Sequence, residues 1–371
     1  MLKRFAIIIL VFTIGLCSCA EQDTATKPLY ENTIYSQDLK ISREKGYTLV
    51  DIANPWKEGE ILQRYILIDR EKKAPKNLPQ GTIIKTPIKN IIVYASIHAS
   101  IIDELGEVDK IIGVCESQYI TSQPILKGLK EGKIADLGQA SNPNTEKIID
   151  INGEVIIASP FENASHGSVE KLCIPIIEAA DYMENSPLGR TEWIKLYGLL
   201  LDKEEKADSI FNATVDNYNQ LKSLAENAKT KPTLLAEKKF GNTWYISGAD
   251  SYMGNMYKDA GVKYIFQDLP GSKGVPMSFE SVLDKAIDSD LWLIKYNSNI
   301  NLTYKELKSE FKPYSQFKAY KKRNIIGCNT ANNSYYDDIT LHPDYILKDL
   351  IKAFHPELLP EYKTRYFHHL Q

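Results

Sequence analysis

The sequence predicts an α/β protein of two lobes, each a mainly parallel sheet flanked by helices, joined by one long rigid helix. Three observations carry that expectation. Short apolar runs alternate with helical patterns through residues 91–158 and again through 232–327, as strands buried on both faces of a parallel sheet do. One uninterrupted amphipathic pattern, residues 202–227, lies near the middle of the chain. The segments on its two sides carry matching elements in matching order.

The central pattern is the clearest helix. Asp202 with Glu205 three residues on reads as a capping box. Ala207, Ile210, Phe211, Thr214, Tyr218, Leu221, Ala225 and Ala228 then fall on one face, and Pro232 ends the run. Such a rod is about 40 Å long, enough to reach across two lobes.

A chain of 371 residues exceeds one small core and suits two. It is 43% hydrophobic and 25% charged, which is globular, and its net charge of −3 gives no basic face for nucleic acid. Residues 1–18 read as a lipoprotein signal peptide: Lys3 and Arg4 precede a short apolar run, and Leu16, Cys17, Ser18 and Cys19 resemble a bacterial lipobox with Cys19 as the lipidated residue; Cys17 is the competing anchor, disfavoured by the bulky Leu16 before it. Residues 19–44 follow as a polar tether, 45–201 as the N-terminal lobe, 202–229 as the linking helix and 230–371 as the C-terminal lobe. Cys115, Cys173 and Cys328 have no spacing that makes a disulfide framework or zinc site.

Along the chain, 47–52 and 63–69 read as a hairpin opening the first lobe. Strands follow at 91–94, 111–114 and 155–158, with helices after 97 and at 145–150. A preliminary helix from Pro187 to Leu201 leads into the central one. Beyond it come strands at 232–236, 291–294 and 323–327 and helices at 251–260, 279–286 and 343–354, with 329–340 as a polar loop.

Two segments align with each other. Glu146 stands about ten residues before the buried strand at 155–158, and Glu280 stands likewise before 291–294. With the run 106–114, Gly138, and Gly261 after Asp259 and Ala260, this order resembles the periplasmic substrate-binding proteins of iron-siderophore, heme and cobalamin ABC importers, over residues 90–370. The resemblance implies two lobes on a single helix, a ligand held in a shallow cleft between them, and no catalysis. It implies a permease dimer with its cytoplasmic ATPase as partner, docked through Glu146 and Glu280, whose carboxylates suit bidentate arginine. The cargo implied is an iron chelate of siderophore or heme type, with a cobamide as the alternative. No cofactor is expected, and the location implied is exported, periplasmic or at the cell surface. The N-terminal hairpin is longer than the usual start of the family.

Ligand contacts are sought at loops past strand ends, among aromatic and cationic side chains. Ser96, Tyr119 and Phe161 meet that description in the first lobe, and Arg190 and Trp193 lie between that lobe and the central helix. Trp244, Tyr245, Tyr296, Tyr335 and Tyr336 are the candidates of the second lobe. His98 and His166 have no second His or Cys at ligand spacing, so no metal site is expected. A rival reading, an exported hydrolase using Glu162 and His166 or a chelatase using His98, lacks the nucleophile-elbow, zinc-protease and P-loop motifs.

Overall fold

The computed structural model describes residues 33–371. Cys19 and the signal segment lie outside the described residues. The first lobe holds a five-stranded parallel sheet ordered Ile176–Glu178, Val155–Ala158, Ile91–Val93, Ile111–Val114, Ala135–Asp136. The second holds another, ordered Lys263–Tyr264, Thr233–Ala236, Leu291–Tyr296, Ile325–Asn329, Phe367–His369; its last strand is antiparallel. Strand Val155–Ala158 is buried throughout, which is why it reads as a continuous apolar run rather than an alternation.

The central helix spans Glu204–Glu226, 23 residues or about 35 Å. Its stripe divides between two cores. Ala207 and Phe211 pack with Trp193, Tyr197 and the first-lobe strands, whereas Tyr218 and Ala225 pack with Leu234, Tyr257 and the second-lobe strands. One helix face thus serves both lobes.

Its start differs from the expected capping box. Lys203 is the N-cap, without a side-chain cap, and Asp202 has φ of 58° and closes the preceding helix Ile194–Leu201. The sharp turn between these two packed helices takes Asp202 into the left-handed region, one residue ahead of the N-cap, so Asp202 serves the turn. Glu204 and Glu205 remain in the first turn, where carboxylates complement the helix dipole.

The N-terminal hairpin is part of a larger element. Leu39–Glu44, Tyr47–Ala53, Ile61–Asp69 and Thr82–Thr86 form a four-stranded sheet of their own, which adds no edge to the first lobe. It contributes Leu39, Ile41, Val50, Ile52 and Tyr65 to the first-lobe core. The Tyr65 hydroxyl donates to the Ile176 carbonyl and accepts from the Glu178 N–H, both at 2.8 Å, tying this sheet to a lobe-edge strand.

Residues 33–44 are therefore not tether. Ahead of the strand Leu39–Glu44, residues 33–38 form a strap held by two carboxylates. Glu192, fully buried, accepts from the N–H groups of Ile34, Tyr35 and Ser36 at 2.8–3.0 Å and from Lys195 Nζ at 2.8 Å. Glu184 accepts from the N–H groups of Gln37 and Asp38 and from Trp193 Nε1. The Tyr35 ring touches both cores.

Candidate functional site: a cleft between the lobes

In parallel α/β sheets the loops past the strand carboxyl ends are free to meet a ligand, and here the two sheets turn those ends toward a shared hollow. It measures about 440 Å³ and is lined by Ala95, Ser96, Glu116, Gln118, Tyr119 and Thr121 from the first lobe. Asn297, Thr330, Ala331, Asn333, Tyr336 and Asp337 line it from the second. A further hollow of about 600 Å³, which shares Ala95 and Glu116 with it, extends over the first-lobe strand ends to Phe161 and His166. These volumes suit a ligand of a few dozen heavy atoms.

Local structure positions each group. Ser96 opens the helix Ser96–Glu104 directly after the strand Ile91–Val93. Glu116 follows the strand Ile111–Val114 with φ of 54°, an uncommon conformation for a residue with a Cβ that turns the chain into the short helix carrying Tyr119. The Glu116 carboxylate accepts from the Ala140 N–H at 3.0 Å and from Gln118 Nε2 at 2.7 Å. Asp337, on the helix Tyr335–Leu341, accepts across the cleft from Ser100 Oγ at 3.2 Å and Thr121 Oγ1 at 2.5 Å. Burial pushes its carboxyl pKa up, while the two hydroxyls oppose that shift. Tyr94 borders the larger hollow, and its buried hydroxyl has no hydrogen-bond partner among the described residues.

Beneath the cleft floor lies a buried polar chain. His98 Nε2 meets Ser159 Oγ at 3.1 Å, and its Nδ1 meets the Tyr197 hydroxyl at 2.8 Å. Asp181 receives Arg190 Nε at 3.4 Å and Thr340 Oγ1 at 3.2 Å, linking the lobes. Burial lowers the His98 pKa, so the ring is a neutral hydrogen-bonding element of the core. His166 faces Glu178 at 3.0 Å, and that hydrogen bond raises its pKa.

Ser96, Tyr119 and Tyr336 come together in the cleft, with Phe161, 64% exposed, in the adjoining hollow. Other candidates go elsewhere. Trp193, Trp244 and Tyr335 are fully buried: Trp193 bonds Glu184, Trp244 stacks on Trp292 at 5.8 Å, and Tyr335 begins a helix where a polar loop was expected. Arg190 is buried, with its guanidinium over the Tyr252 ring and its Nε on Asp181. Tyr245 stands exposed on the ribbon Trp244–Ser247 with Gly274–Met277. Tyr296 borders a separate 350 Å³ hollow near Arg365 and His368, its hydroxyl accepting from the Leu302 N–H. Sequence reasoning missed Glu116 and Asp337. Glu116 stands in the strand-end loop already singled out for Tyr119; Asp337 carries no local signal, because its role depends on the other lobe.

Glu146 and Glu280 occupy the same local place, second in their helices after side-chain caps by Asn144 and Ser278, and both are exposed.

Two α/β lobes on one helix, with an open hollow between their strand ends, define a two-lobed solute-binding protein. The family model described as Periplasmic binding protein matches residues 91–331, and the chain belongs to that family. The chain is 27% identical to an uncharacterized lipoprotein of Methanocaldococcus jannaschii, over 93% of this chain and 88% of that one. It is 23% identical to the petrobactin-binding protein of Bacillus subtilis, over 63% of this chain and 60% of that one. An ABC-type Fe3+-hydroxamate transport system structure from Saccharomonospora viridis shares the fold with a TM-score of 0.56 at 15% identity, covering 73% of this chain and 95% of that chain.

Proposed function

We propose that this protein is a lipid-anchored substrate-binding protein of an ABC importer. It captures an iron chelate of siderophore or heme type in the interlobe cleft and delivers it to a permease dimer with its cytoplasmic ATPase. It works without catalysis and without a cofactor of its own. The observation that carries the reading is the hollow of about 440 Å³ lined from both lobes, with Tyr119 and Tyr336, both more than half exposed, on opposite sides. Exposed aromatic faces paired with hydroxyl and amide groups suit a flat or chelating ligand. The lipid anchor is Cys19, and the lipoprotein relative supports it. The lobes divide near 201 and 230, on either side of the helix that joins them.

A cobamide is the second reading, favoured by the aromatic and uncharged polar side chains, among them Tyr119, Tyr336, Gln118 and Asn333, that make up most of the cleft lining. A hydrolase built on Glu162 and His166 finds no support in a His166 ring whose hydrogen bonds go to Glu178.

The test is a visible spectrum and mass spectrum of protein purified from its own cells, followed by fluorescence titration with ferric siderophores, hemin and cobalamin. One of these quenches tyrosine and tryptophan emission saturably if the reading holds; silence from all of them ends it.

Glu146 and Glu280 dock the permease in this reading. Reversing both to Arg is expected to abolish uptake while ligand affinity is unchanged, since exposed charges act mainly on encounter and register. Stability should shift by only about 0.5 kcal/mol. Normal uptake by the double variant in cells lacking the wild-type gene removes the docking role.

A further inference from the structure

We infer, on the reading that the cleft holds a metal chelate, that the chelate it accepts carries no net negative charge. The charged groups of the cleft are Glu116 from one lobe and Asp337 from the other. Among the described residues, no Lys or Arg lines this hollow or the one adjoining it. Neither carboxylate has an ion-pair partner among the described residues, and the donors that reach them are neutral: an amide N–H and a Gln side chain for Glu116, two hydroxyls for Asp337.

Cations on the segments around the strand ends have carboxylate partners of their own. Arg190 pairs with Asp181, Lys295 with Glu237 and Lys238 with Glu310. His166, the one base at the edge of the larger hollow, faces Glu178. A positive influence at the cleft is the first turn of the helix Ser96–Glu104, which has no side-chain cap. A helix start counts as about half a charge and does not offset two carboxylates.

A partly enclosed hollow is screened less than open surface, so charge mismatch there is costly. A ferric tris-catecholate is a trianion, and heme carries two propionates; either would meet the carboxylates without a counter-cation. A ferric trihydroxamate bearing a free ammonium matches them, because the ammonium can donate charge-assisted hydrogen bonds to Glu116 or Asp337. A cobamide without net negative charge is also admitted. Net charge is the shared chemistry of these two sources.

Competition among defined probes decides it. Wild-type protein is titrated by fluorescence quenching with ferrioxamine B, a ferric tris-catecholate, hemin and cyanocobalamin, each at low and high salt. Ferrioxamine B or cyanocobalamin should bind at least about tenfold more tightly than the catecholate or hemin, and ferrioxamine B affinity should fall as salt rises. Tight ferrioxamine B identifies a cationic hydroxamate as cargo; tight cyanocobalamin with weak ferrioxamine B identifies a cobamide. The Glu116→Gln, Asp337→Asn double variant, checked for an unchanged melting curve, should narrow the gap between ferrioxamine B and the catecholate. Equal or tighter binding of the catecholate or hemin by the wild-type protein overturns the inference while leaving the chelate reading intact. Failure of all four probes overturns that reading, and the inference with it.

Discussion

Trp244 shows how little a side chain's identity says about its direction. It stands in a short strand beside a turn, where an aromatic reads as a rim residue, yet it stacks on Trp292 with Tyr314 and Phe317 edge-on around it, and its Nε1 donates to the Ala236 carbonyl at 3.1 Å. Its neighbour Tyr245 faces out because successive strand residues alternate. Trp244→Ala should therefore lower stability by about 3–5 kcal/mol, the cost of a large aromatic cavity. Tyr336→Ala should leave stability within about 0.5 kcal/mol and weaken ligand binding instead. Urea unfolding and ligand titration of both variants check this; the reverse pattern would place Trp244 at the ligand and Tyr336 in the core. Ser96 and Tyr119, which lie on the cleft wall, stand just past a strand's carboxyl end, the place where the sequence points to a ligand; Tyr336 reaches the same wall from a helix where the sequence suggested a loop. Glu116 was not legible, since a carboxylate in a polar loop is usually only solvated.

Among the elements, the strap of residues 33–38 is the one held chiefly by side-chain carboxylates. Three consecutive N–H groups converge on the buried Glu192 carboxylate, whose other partner is Lys195. Glu192→Ala would remove the buried carboxylate that these three donors and Lys195 share, a loss of about 3–5 kcal/mol. A change below about 1 kcal/mol in urea unfolding would show that the strap is dispensable.

The strap also responds to pH. Burial, and then the charge of Glu184, raises the Asp38 pKa from 3.8 to about 6. A group whose folded pKa is raised contributes stability that is complete below its unfolded value and is lost as pH rises through its folded value. Wild type should thus lose part of its stability between about pH 4 and pH 7 relative to Asp38→Asn, which cannot ionise. Melting temperatures of the two proteins across that window test it, and a constant difference would contradict it.

On the scale of the whole molecule, the lobes are tied by more than one helix. Thr191 Oγ1 donates to the Thr340 carbonyl at 2.8 Å, Asn255 Nδ2 to the Asn185 carbonyl at 3.1 Å, and Asp337 bridges the cleft to Ser100 and Thr121. With the central helix packed into both cores, ligand binding should rotate the lobes far less than hinge-type closure does. Small-angle scattering with and without saturating ligand measures this, and a large compaction would mean that the helix bends or these ties break.

The sequence by itself determined what is local and periodic: the buried strand segments 91–93, 155–158 and 291–294, the long helix to within two residues at its start, and the doubled order that makes two lobes. Each rests on contacts between residues a few positions apart, or on apolar runs that only a sheet covered on both faces will bury. The tertiary structure decided what depends on distant partners. It made Asp202 a turn residue because two helices pack there. It gave the polar segment Phe367–His369 strand pairing against Ile325–Asn329, and turned residues 33–38 from tether into strap because Glu184 and Glu192 supply the acceptors. It also set Glu116 opposite Asp337, 221 positions apart in the chain, across one cleft. Charge complementarity between ligand and cleft is a property of that juxtaposition, and no stretch of the sequence contains it.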